Sequence, residues 1–107
     1  MCLINIYIAG PMRGVKDMNH EEFNKADEYL TKKRFYKTFN PARFDKESGL
    51  SGEYLESNEG LRVVMRRDLQ DLMECHAIYM LNGWERSEGA RIEHALAVML
   101  RMTIIYQ

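Results

Sequence analysis

Apolar and polar positions follow two different rhythms along this chain. Residues 3–10, LINIYIAG, are apolar almost without a break, rich in Ile, and end on Gly10. That is the pattern of a strand buried on both faces. GPMRG at 10–14 reads as a turn. From Asn19 the rhythm lengthens, and Phe23, Ala26 and Leu30 at i, i+3 and i+7 predict a helix. Asn19 and Glu22 have the spacing of a capping box, and the basic run 32–34 suits the helix's C-terminal end. FYKTFNP (35–41) predicts a short strand stopped by Pro41. Residues 42–59, with Gly49, Gly52, three Ser and one Asn, follow neither rhythm and read as a long irregular loop. A second helix is predicted over 60–74, a strand over AIYML (77–81), a third helix over 87–100 and a last strand over MTIIYQ (102–107).

Strands separated by helices predict an α/β fold, a flavodoxin- or Rossmann-like three-layer sandwich around a four- or five-stranded parallel sheet. The 107 residues are expected to form one domain, 1–107. Parallel sheets bind ligands beyond the C-terminal ends of their strands. The loops 10–18, 40–59 and 82–87 are therefore expected to share one edge.

Composition narrows the classes. A hydrophobic fraction of 46% fits a globular chain, and a net charge of −1 gives no basic excess to attract a nucleic-acid polymer or a membrane surface. No apolar run approaches the ~20 residues that span a bilayer. Cys2 and Cys75 form no CxxC pair, and the N-terminus reads as strand rather than signal peptide. A reduced, cytoplasmic protein is expected. His20, His76 and His94 lack ligand spacing, so no metal is expected.

The candidate chemistry sits at the predicted sheet edge. In GPMRG, Gly10 and Gly14 permit tight backbone geometry with N–H groups turned to an anion, and Arg13 adds a forked cation. A plain turn is an equal reading. Ser87 is a good N-cap, and Gly89 lets a ligand approach the positive end of the third helix; a capped helix with no ligand is the alternative. Glu93 lies ~100° around that helix from Ile92, on the flank of an expected apolar stripe of Ile92, Ala95, Leu96, Met99 and Leu100. It is either a pocket-wall carboxylate or a half-exposed surface acid. Asp68 falls on the apolar face of the second helix with Leu61, Val64, Met65, Leu72 and Met73. There it is either a general acid with a raised pKa or the partner of Arg66, Arg67 or nearby backbone. Tyr7, near the end of the first strand, reaches the site or packs in the core. Trp84 stacks on a base or is buried.

Three segments, IYIAGPMRG (6–14), RRDLQDLMECHAIYML (66–81) and SEGARIEHALA (87–97), resemble the nucleoside 2-deoxyribosyltransferase-like family. The likeness is closest to its 2′-deoxynucleoside 5′-monophosphate N-glycosidase branch and to short phage-associated relatives. The resemblance implies Glu93 as nucleophile, Asp68 as acid and Tyr7 as the residue orienting Glu93. It implies phosphate binding by Gly10, Met12, Arg13, Gly14, Ser87 and Gly89. Ser87 stands where nucleoside transferases of the family carry an Asp, which points to a 5′-monophosphate, while Pro11 stands where a small polar residue is frequent. The expected function is hydrolysis of the N-glycosidic bond of a (deoxy)nucleoside 5′-monophosphate through a covalent glycosyl-Glu intermediate, by a homodimer or larger oligomer; the reaction that the resemblance implies requires no organic cofactor. Base exchange on a nucleoside, non-catalytic nucleotide binding, and an interaction module with a vestigial pocket are the rivals.

Overall fold

The computed structural model describes residues 3–107; Cys2 lies outside them. Four strands form one all-parallel sheet: β1 (Ile4–Ala9), β2 (Tyr36–Phe39), β3 (Ala77–Met80) and β4 (Thr103–Tyr106), in the order β2-β1-β3-β4. Register is set by pairs such as Tyr7 with Phe39 and with Ile78. The fold is the expected α/β, Rossmann-like sandwich, with four strands among the described residues.

Period-2 alternation divides the core. Ile6 and Ile8 of β1 point to one face, where they meet Phe23, Ala26 and Leu30 of α1 (His20–Thr31) and Ala42 of α2 (Pro41–Ser48). Tyr7 and Ala9 point to the other face. They join Leu72 of α4 (Asn58–Met73) with Ala90 and Ala97 of α5 (Glu88–Met99). Cys75 is a buried free thiol on that side, pushed up to about 12 by burial first and then by Asp71 and Glu74, the condition of an unreactive cysteine.

Three expectations are corrected. The segment 42–59 is largely helical: Asn40 accepts from Ala42 N as N-cap, Pro41 follows, and α2 runs to Ser48 before Gly49 closes it with φ 72°. A five-residue helix, α3 (Gly52–Glu56), is capped by Ser51, and Ser57 then caps α4. The capping box at Asn19 does not form. Asp17, Met18 and Asn19 all take positive φ, and the Asn19 side chain donates to Pro11 O at 2.9 Å instead. That contact ties the start of α1 to the first loop.

The third correction concerns α5. Most of its proposed core stripe faces outward, with Ile92 53% and Met99 71% exposed, while Leu96 packs against the core. The buried face carries Ala90, Glu93 and Ala97. Two alanines let the helix backbone sit close to the sheet, which leaves no room for the larger residues. On α4, Val64, Asp68 and Leu72 share the buried face as expected, but Met73 is exposed.

Candidate functional site

β1 and β3 lie side by side while their following chains depart to opposite sides of the sheet, which opens a crevice at their C-terminal ends. Gly10 sits at this point because an added Cβ would come within 2.7 Å of Leu81 Cβ. A cavity of about 370 Å³ occupies the crevice, within the range of small-molecule sites. The first loop (Gly10, Met12, Arg13), α4 (Val64, Met65, Asp68) and the start of α5 (Ser87, Gly89, Glu93) line it.

Glu93, 5% exposed, enters from the buried face of α5, and its Oε2 accepts from the Tyr7 hydroxyl at 2.5 Å. Burial, and then the charge of Asp68, push Glu93 up to about 8, while the Tyr7 hydrogen bond pulls it back. Tyr7 is fully buried, and burial and Glu93 together raise its phenol well above the ordinary range. It therefore donates its proton to the carboxylate without losing it.

Asp68, 4% exposed, enters from α4. Burial pushes it up to about 6; Arg67 restrains the rise, and Asp45 and Asp71 add to it. Arg67 Nε and Nη2 donate to Asp68 Oδ1 at 3.1 and 2.9 Å. Asp68 is thus bonded to Arg67, one of the partners expected for it, and also lines the cavity. Burial thus raises both carboxyls above the ordinary range, Glu93 further than Asp68.

The α5 start is built as a capped terminus open to the cavity. Ser87 Oγ accepts from Ala90 N at 3.2 Å, which leaves the N–H groups of Glu88 and Gly89 without intrahelical partners. Gly89 keeps the wall thin, since a Cβ there would stand 3.4 Å from Met65 Sδ. The expected anion loop at 10–14 is partly occupied by protein. Arg13 donates to Glu56 O, and Gly14 N donates to Glu56 Oε1 at 3.4 Å. Gly14 is not in the cavity wall, so of residues 10–14 only Gly10, Met12 and Arg13 reach it. Trp84 stacks on His94, ring centroids 4.2 Å apart, and packs on the core rather than facing the cavity. Among the described residues no three His, Cys, Asp or Glu side chains converge as a metal-ligand set, and no helix is long and apolar enough to cross a membrane.

The sequence matches the family described as Domain of unknown function (DUF4406) over residues 4–106. The chain belongs to the DUF4406 family. No curated protein matches it.

The DUF4406 site also contains residues that the sequence pattern did not single out. Met18 and Leu55 form an apolar wall with Val64, and Arg86 stands at the rim. Asp45, whose side chain is fully buried, holds Arg67 Nη2 at 2.7 Å from behind. The signal for Asp45 was present in NPARFD: an N-cap Asn, a Pro at the first helical position, and an Asp on the face of Ala42.

Proposed function

We propose that this chain hydrolyses the N-glycosidic bond of a nucleoside 5′-monophosphate. The observation that carries the reading is the pair Asp68 and Glu93: two acids from different helices, both more than nine-tenths buried, lining one cavity beside an open helix N-terminus. A buried carboxyl pair is the equipment of a retaining glycosidase, with one group as nucleophile and the other as acid. The resemblance to the nucleoside 2-deoxyribosyltransferase-like family assigns the roles in the same order.

In the reaction, Glu93 Oε attacks C1′ of the sugar and the bond from C1′ to the base nitrogen breaks. The bonding electron pair leaves with the base, which takes a proton from Asp68. Water then attacks C1′ of the glycosyl ester, giving its proton to Asp68, and the sugar phosphate departs from regenerated Glu93 carboxylate. This requires Glu93 ionised and Asp68 protonated once substrate is bound. Positive charge developing at C1′ favours that state, because it stabilises ionised Glu93. Tyr7 holds the attacking carboxylate in place. The α5 N-terminus, with Ser87, Gly89 and Arg13, binds the phosphate away from the reacting centre and uses that binding to fix the sugar.

One observation favours a second reading. Glu93 is buried and its proton affinity is raised, and a neutral Glu93 would be a hydrogen-bond donor suited to a site that binds a nucleotide without cleaving it. Chromatography of each ribo and deoxy 5′-monophosphate after incubation separates the two. Free base from wild type and none from Glu93→Gln supports hydrolysis. Calorimetric binding without base release supports the binding protein, and base exchange appears as a new nucleotide when a second free base is added.

The proposal includes a second copy of the chain. Ile92 both lines the cavity and begins the exposed stripe Ile92, Ala95, Met99. A partner seated there would wall the open side of the site.

A further inference from the structure

Asp45 lies behind the cavity, not in its wall, yet it is bonded to the machinery. Its Oδ1 accepts from Arg67 Nη2 at 2.7 Å, and the same nitrogen reaches Asp68 Oδ1 at 2.9 Å. One guanidinium is thus divided between two buried carboxyls, one facing the cavity and one sealed behind it. The Phe44 ring covers Arg67, 5.7 Å from its Cζ. Asp45 Oδ2 is buried without a hydrogen-bond partner, and 3.7 Å from it is His20 Nε2, buried and equally unpartnered.

Such a chain is costly to bury, and an apolar cluster of the same volume would stabilise the fold at least as well. Its arrangement suits a different task. An Arg committed to Asp68 alone, through two charge-assisted hydrogen bonds, would hold that carboxylate ionised. A second carboxylate on the same guanidinium removes part of that hold. We propose that Asp45 is a positioning residue that, through Arg67, aims the Asp68 carboxyl into the cavity and leaves it able to carry a proton. His20 forms the outer end of the chain, its Nε2 3.7 Å from Asp45 Oδ2. The groups facing Asp68 are Arg67 and Asp71 on its own helix, Asp45 on α2, Glu93 on α5 and Tyr7 on β1; those facing Asp45 are Arg67 and His20. The inference rests on reading Asp68 as the acid of the proposed hydrolysis.

The experiment follows the Asp68 carboxyl carbon by NMR across pH in the ¹³C-labelled full chain, assigned with Asp68→Asn. Asp45→Asn keeps the side chain's shape and its hydrogen bond from Arg67 but removes the charge. It is expected to move the Asp68 midpoint toward acid by about one pH unit. An unmoved midpoint in the folded variant overturns the inference. Should Asp45→Asn not fold, the wild-type ¹⁵N spectrum decides. With Nε held by Asp68 and Nη2 by Asp45 and Asp68, rotation about Nε–Cζ is blocked and Arg67 gives two separate, slowly exchanging Nη signals; a single averaged signal overturns the proposal. With turnover in hand, the alkaline limb of kcat/KM moves with the midpoint in Asp45→Asn. A wild type without turnover removes the hydrolase reading, while the titration still decides the role of Asp45.

Discussion

Glu93 and Asp68 hold their protons more tightly in the folded chain than free carboxyls do, at about 8 and about 6 against ordinary values of 4.5 and 3.8. Between those limits the folded state binds more protons than the unfolded state. The contribution of these two acids to the free energy of unfolding therefore falls as pH rises from 3.8 to about 8 and is constant above that. Urea titrations are expected to give a lower midpoint at pH 8 than at pH 5. Glu93→Gln, whose amide oxygen still accepts the Tyr7 hydroxyl, should erase the part of the decline above pH 6. It should also stabilise the chain at pH 8 by about 2 kcal/mol, as relief of a strained site commonly does. A stability that rises over this interval would contradict the buried acid pair. Tyr7→Phe removes the one hydrogen bond that pulls Glu93 down. Its Glu93 carboxyl should titrate higher still by NMR, and any base release at pH 7 should drop roughly ten- to a hundredfold. Asp68 was legible in the sequence because it interrupts an apolar face at intervals of four. The importance of Arg67 was not, because a neighbouring Arg66 looks the same until the helix is set against α2.

Among the elements, α3 and α4 meet through a contact that only glycine permits. An added Cβ at Gly60 would stand 1.9 Å from the Tyr54 carbonyl oxygen. Gly60→Ala should therefore push α3 away and cost about 2 kcal/mol in denaturant unfolding, with loss of the Leu55 wall of the cavity. Glu56, at the end of α3, fills Gly14 N–H with a carboxylate. Glu56→Ala removes an acid from the first loop, which the proposal assigns to phosphate. It should tighten 5′-monophosphate binding by roughly three- to tenfold in calorimetry; weaker binding would make Glu56 part of the site rather than its competitor. Element type was readable for the strands and for α1, α4 and α5, where periodicity runs over two turns or more. The short helices α2 and α3 were lost because their eight and five residues are too few for a period to show against Gly and Ser. The outward stripe of α5 misled for a different reason. Hydrophobic spacing identifies a face but not what covers it, and here the sheet is covered by Ala90 and Ala97.

For the molecule as a whole, that outer stripe has a consequence. Ile92 and Met99, beside Val98, leave an apolar surface next to the cavity mouth, of the kind that marks an interaction site. Sedimentation is expected to show a dimer or larger assembly for wild type, and Met99→Glu should shift it toward monomer; a wild type that stays monomeric at high concentration removes the second copy from the proposal. The alternation of strand and helix by itself determined a parallel sheet, and with it the edge where the candidate residues gather, because parallel strands need crossovers and crossovers place their loops together. The same residues in order also supplied two acids and a capped helix start. Only the folded chain decided that both acids are buried in one cavity, that Glu56 occupies part of the first loop, and that Asp45 reaches Asp68 through Arg67. Those outcomes depend on which helices touch across the sheet, and local patterns of polarity carry no information about distances between segments far apart in sequence.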